Sequence, residues 1–70
     1  MTQNERVLHH LKTIGPITCK IAVEEYSIMA LHSRIADLRK DGHRIKSKYM
    51  HGVNRFGDEC HWYEYSLEQA

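Results

Sequence analysis

The sequence predicts a small α+β domain in which three helices are followed by a two-stranded antiparallel β-hairpin. Three observations carry that expectation. Apolar residues recur at helical spacing from Val7 to Leu38, the repeat then changes to strict alternation from Arg44, and a turn-rich stretch separates two alternating runs. With 70 residues, 41% hydrophobic and 27% charged, the chain has the composition of a folded domain with room for one core. Residues 1–70 are therefore expected to form a single domain.

The elements follow in order. Thr2 opens a capping box with Glu5, and Val7, Leu8, Leu11 and Ile14 continue at helical spacing, so a first helix spans about residues 3–13. Gly15 supplies a left-handed exit and Pro16 stops the helix, leaving Ile17 as an extended link. Thr18 suits the N-cap of a second helix over about 19–25, which turns Ile21, Ala22 and Tyr26 inward. A short turn from Tyr26 to Met29, with Ser27 as a capping residue, leads into a third helix over about 29–41 that Gly42 ends. Ile28, Leu31, Ile35 and Leu38 form its apolar stripe. Met29, Ala30, Ser33, Asp37 and Lys40 fall on the opposite face, with His32 and Arg34 on the flanks.

In the first strand, about 44–51, Ile45, Ser47 and Tyr49 alternate with Arg44, Lys46 and Lys48. In the second, about 59–67, Tyr63, Tyr65 and Leu67 alternate with Trp62, Glu64 and Ser66. The connection carries Gly52, Asn54 and Gly57, all turn formers. An isolated hairpin is marginal in water, so Ile45, Tyr49, Tyr63, Tyr65 and Leu67 are expected to pack on the helices.

A net charge of +1 hides an uneven distribution. Between His32 and Arg55 seven Lys or Arg face two Asp, a balance of +5, and the rest of the chain carries −4. A basic block within a folded segment suits a polyanion; it also suits a solvated surface kept for solubility. Cys19 and Cys60 are too few and too far apart for a disulfide framework, so unpaired thiols in a reducing compartment are expected. Apolar runs reach four residues, against the ~20 a bilayer requires. The opening Met-Thr-Gln-Asn-Glu-Arg has no signal-peptide pattern, so a cytoplasmic protein with no membrane contact is expected.

No Cys-x-x-Cys or His-x-x-x-His spacing occurs, and the neighbours His9-His10 and Cys60-His61 diverge, so neither a metal nor another cofactor is expected. Nucleophile elbows, phosphate-cradling glycine loops and paired carboxylates are also missing from the sequence, which argues against an enzyme and leaves no catalytic residue to assign.

Four stretches carry a family likeness: Val7-Leu8-x-x-Leu11, Gly15-Pro16-Ile17-Thr18, Ser33-Arg34-Ile35-x-x-Leu38-Arg39-x-x-Gly42-x-x-Ile45, and Asn54-Arg55-Phe56-Gly57 with Tyr63-x-Tyr65-x-Leu67. In this order they resemble the small winged helix-turn-helix proteins of bacteriophages and prophages, over the run from Glu5 to Leu67. The resemblance implies sequence-specific binding of double-stranded DNA by a transcription regulator or excisionase-like architectural factor in a bacterial host cell. The third helix would enter the major groove and the hairpin, or wing, would lie on the backbone or minor groove.

The residues fit that role. Ala30 and Ser33 are small enough for close approach to a groove about 12 Å wide. Arg34 suits phosphate or guanine, and His32 and Ser33 suit phosphate or base edges. Lys40 lies on the same outer face. Thr18 offers a hydroxyl and backbone N–H groups to a phosphate, although it is first a helix cap. Lys46, Lys48, Asn54 and Arg55 would serve the wing contacts, with Arg55 at a narrow minor groove. Arg39 lies nearer the apolar stripe and ranks below Arg34. Asp37 is out of place on a face meant for phosphates. A single recognition helix has limited specificity, so a homodimer or cooperative array on DNA is expected, through the first helix or the last strand with Trp62. A second reading stays open, in which a phage winged helix binds and inhibits a host enzyme or nuclease complex.

Overall fold

Helix α1 (Gln3–Thr13) starts where Thr2 can satisfy orphan N–H groups. The Thr2 hydroxyl accepts from Glu5 N–H at 3.1 Å, and the Glu5 carboxylate accepts from Thr2 N–H at 3.2 Å. Those bonds, the Thr2 backbone one first, hold the Glu5 carboxyl below its ordinary value. The cap is therefore at full strength above the ordinary carboxylate pKa and fades as pH falls through the folded value. The computed structural model describes residues 1–68. After α1 come β1 (Ile17–Thr18), α2 (Cys19–Tyr26), α3 (Leu31–Lys40), β2 (Ile45–Val53) and β3 (Glu59–Leu67).

Thr18 caps α2, its hydroxyl accepting from Ile21 N–H at 3.3 Å. At the other end Ser27 is left-handed (φ 56°), and Ser27 and Ile28 N–H close back on Val23 and Ala22 carbonyls. Ser27 thus terminates α2. It does not cap the next helix, which begins at Leu31, later than the expected residue 29, with no side-chain cap at Ala30.

The sheet has three antiparallel strands in the order β1-β3-β2. The hairpin expectation missed β1, in which Ile17 pairs with Tyr65 and Thr18 with Glu64. Two residues are too few to show alternation, so only the tertiary pairing marks them as strand. β2 and β3 run in register from Ile45↔Leu67 to Val53↔Glu59, and β2 extends beyond the expected residue 51.

Val7, Leu11, Ile17, Ala22, Ile28, Leu31, Ile35, Leu38 and Ile45 form the core, with Tyr65 and Leu67 packed against it. Two expectations fail here. Ile14 is 68% exposed, because it is the C-cap of α1 and lies past the last packed turn. Tyr49 and Tyr63 are 54% and 49% exposed, because β1 supports β3 only as far as Glu64 and the outer hairpin leaves the helices behind.

The core also contains a polar group that apolar periodicity does not reveal. His10 is buried, with Nε2 3.2 Å from the Pro16 carbonyl and Nδ1 2.6 Å from the Tyr26 hydroxyl. A carbonyl only accepts, so Nε2 carries the proton and Nδ1 accepts from Tyr26 O–H. The imidazole therefore ties α1 to the β1 approach and the end of α2.

Tyr26→Phe leaves His10 Nδ1 unpartnered and should cost about 1–2 kcal/mol in urea unfolding. Ser27→Gly relieves the left-handed residue and should add about 1 kcal/mol by the same measurement.

Candidate nucleic-acid interface

Leu31, Ile35 and Leu38 turn α3 onto the core, which leaves a face presenting His32, Ala36 and Lys40 to solvent. Ala30 and Met29 are exposed where the helix begins, and Ser33 is half-buried at the margin. Sequence reasoning missed Ala36. Its signal was its position between the two exposed turns, four residues from both His32 and Lys40.

The other candidate cations on α3 are already engaged. Arg34 Nη2 lies 3.4 Å from Asp37 Oδ2, and its buried Nε has no partner among the described residues. Asn4 of α1 donates to the same Asp37 oxygen at 3.5 Å. Arg34 and Asp37 therefore lie against α1, on the margin of the outward face. This resolves the misfit of Asp37, since its charge is matched within the protein. Arg39 donates from Nε and Nη2 to the Ile45 carbonyl at 3.0 and 2.8 Å, joining the end of α3 to the start of β2.

On the hairpin, register places Lys46 and Lys48 on one face, opposite Ser66 and Glu64. Both are exposed, and neither they nor Lys40 or Arg55 forms an ion pair among the described residues. Trp62 lies on that face over Gly52, where an added Cβ would come within 3.1 Å of the indole. Asn54 builds the tip: its Oδ1 accepts from Phe56 and Asp58 N–H at 2.9 and 3.1 Å. That oxygen is used inside the turn, where Asn54 presents Arg55 and Phe56, and its amide nitrogen is left to donate. Phe56 is 82% exposed. Thr18 likewise uses its hydroxyl as a cap acceptor, which leaves the O–H to donate.

The opposite hairpin face carries a cluster that sequence reasoning missed. Tyr49 stacks on His61 at 5.4 Å and 12°, Tyr63 lies 5.4 Å from Tyr49, and His51 lies 6.5 Å from His61. The period-two pattern contains the signal, but it assigns Tyr49 and Tyr63 to the core and leaves His51 and His61 unplaced. Nearer the core, burial first and then the neighbouring Cys19 push the Tyr65 phenol up, with Arg39 acting the other way.

The thiols of Cys19 and Cys60 are free, one exposed and one half-buried. Among the described residues no three His, Cys, Asp or Glu side chains gather to hold a metal ion, and no helix is long and apolar enough to cross a membrane.

A helix pair, α2 and α3, packed on α1 beside a hairpin that stands off the core defines the winged helix-turn-helix class. The chain matches the family model described as winged helix-turn-helix domain over residues 2–70, and it belongs to that family. No curated protein and no solved structure matches it. Membership points to DNA as the partner class.

The raised Tyr65 pKa has a definite sign for stability. Its contribution is present below the ordinary tyrosine value of 10.0 and is lost as pH rises through the folded value. Tyr65→Phe should accordingly flatten the alkaline limb of a plot of urea midpoint against pH.

Proposed function

We propose that the protein binds double-stranded DNA in a sequence-specific manner, as a transcription regulator or excisionase-like factor of the phage and prophage type. The observation that carries this reading is the uncovered α3 face of His32, Ala36 and Lys40, in a chain whose hairpin cations Lys46, Lys48 and Arg55 have no internal partner among the described residues. Short side chains at Ala30, Ser33 and Ala36 let the helix backbone approach the floor of the major groove. His32 and Lys40 then reach base edges or phosphates, Lys46 and Lys48 take phosphates, and Arg55 enters the minor groove. Arg34 contributes only if it exchanges Asp37 for DNA. One recognition helix covers roughly 600–1,000 Å², so the protein acts as a homodimer or as a cooperative array. In this reading it works in the bacterial cytoplasm and catalyses no reaction.

A second reading has its own support. Phe56 and the Tyr49–His61 stack are exposed aromatic groups of the kind that anchor protein interfaces, which suits docking on a host enzyme or nuclease complex.

Gel shifts on a selected duplex across a salt series separate the two. Affinity should fall linearly in a log–log plot, and Lys46→Ala with Lys48→Ala should reduce the slope by about 2 on every sequence. Ala36→Glu should abolish the shift with an unchanged circular dichroism spectrum. Full affinity in that variant would remove α3 as the reader, and no shift on any duplex would favour the protein partner.

A further inference from the structure

Among the described residues, part of one sheet edge has no strand beside it. β1 pairs with Tyr65 and Glu64 and then turns into α2 at Cys19, so β3 from Tyr63 to Glu59 is unpaired on that side. Its backbone groups are assigned by parity. Asn54 N–H bonds to Asp58 O and Glu68 N–H to Arg44 O, so even-numbered residues of β3 exchange hydrogen bonds with β2. The odd-numbered Glu59, His61 and Tyr63 therefore direct N–H and C=O toward the open edge, as Tyr65 does toward Ile17.

The two outer edges of the sheet differ in chemistry. β2 carries Lys46 and Lys48, which deter strand addition. Glu59-Cys60-His61-Trp62-Tyr63 contains no lysine or proline, and its pairing with β2 runs without a bulge. Beside this edge lies an open groove of about 470 Å³ lined by Thr18, Cys19, Lys20, Cys60 and Trp62.

We propose that this edge pairs with the same edge of a second copy of the chain, β3 antiparallel to β3, with the two-fold axis at His61. The proposal deepens the homodimer reading above and rests on it, but not on the DNA contacts. Parity requires odd residues to face odd residues. Among such registers, the one centred on His61 pairs the whole run from Glu59 to Tyr63; moving the centre by one residue leaves only three residues of the strand paired, because Thr18 blocks one end and β3 stops at Glu59 at the other. In this register Trp62 of each copy faces Cys60 of the other, at the groove. Glu59 of the second copy lies opposite Tyr63, and its neighbour Asp58, which shares the face of Cys60 and Trp62, is thereby brought toward Lys20 on the groove wall. The interface is small and belongs to the weak class below about 1,200 Å².

Cysteine cross-linking tests the register on the full chain carrying Cys19→Ser and Cys60→Ser. Residues opposed in a hydrogen-bonded antiparallel pair have Cα atoms about 5.5 Å apart, within disulfide reach. With oxidised glutathione, His61→Cys should form a covalent dimer roughly tenfold or more faster than Tyr63→Cys, whose two copies would lie roughly 13 Å apart. Glu59→Cys combined with Tyr63→Cys should also link, since those residues meet across the axis. Equal rates for His61→Cys and Tyr63→Cys, or no linkage in any variant that retains its circular dichroism spectrum, would overturn the pairing. Gel shifts on the same proteins keep the two readings apart. A retained shift without linkage overturns the register alone, and rapid linkage without a shift overturns the DNA reading alone.

Discussion

The pairing of Ile17 and Thr18 with Tyr65 and Glu64 is the constraint on which the rest of the molecule depends. It is the point where the chain before α2 meets the chain after the wing. It also buries Ile17 completely at the centre of the core. On one side of it Tyr65, Leu67 and Ile45 pack on the helices. On the other the hairpin has no helix beneath it, so Tyr49 and Tyr63 stand exposed although they continue the same face. A two-residue strand thus decides where the domain ends and the wing begins, and it sets the length of the open β3 edge.

Inside that frame, one polar residue does what another aliphatic could not. His10 spans Pro16 and Tyr26 and gives both a directional partner in the core. Hydrophobic contacts are non-directional, so they hold α1, β1 and α2 together without specifying their angles. The hydrogen bonds of a single tautomer do specify them, and α2 then places the turn into α3.

The cations divide by what they touch. Arg34 is matched by Asp37 and Arg39 grips the Ile45 carbonyl, so both hold α3 to its neighbours. Lys40, Lys46, Lys48 and Arg55 find no carboxylate among the described residues and keep their charge for solvent or a polyanion. The difference is positional. The two α3 guanidinium groups lie within reach of fixed acceptors at the helix margin, whereas Lys40, the hairpin lysines and Arg55 at the tip point into solvent.

Much of the fold was legible in the sequence, because it rests on local chemistry. Thr2 with Glu5, Thr18 as a cap and the glycines at 15 and 42 mark the helix ends with their own atoms, and alternation marks the hairpin. Less of the candidate site was legible. Helical periodicity put Arg34 and Asp37 near a groove-facing side but could not show α1 lying beside them, and composition could not show that the Asn54 amide oxygen closes the tip. By itself the sequence determined the order and capping of the helices, the hairpin and the concentration of charge in the middle of the chain, since each depends on residues a few positions apart. Only the tertiary structure decided the third strand, the burial of His10, the exposure of Tyr49 and Tyr63 and the division of labour among the arginines and lysines. Each of those follows from atoms brought together from distant parts of the chain, and no local pattern encodes them.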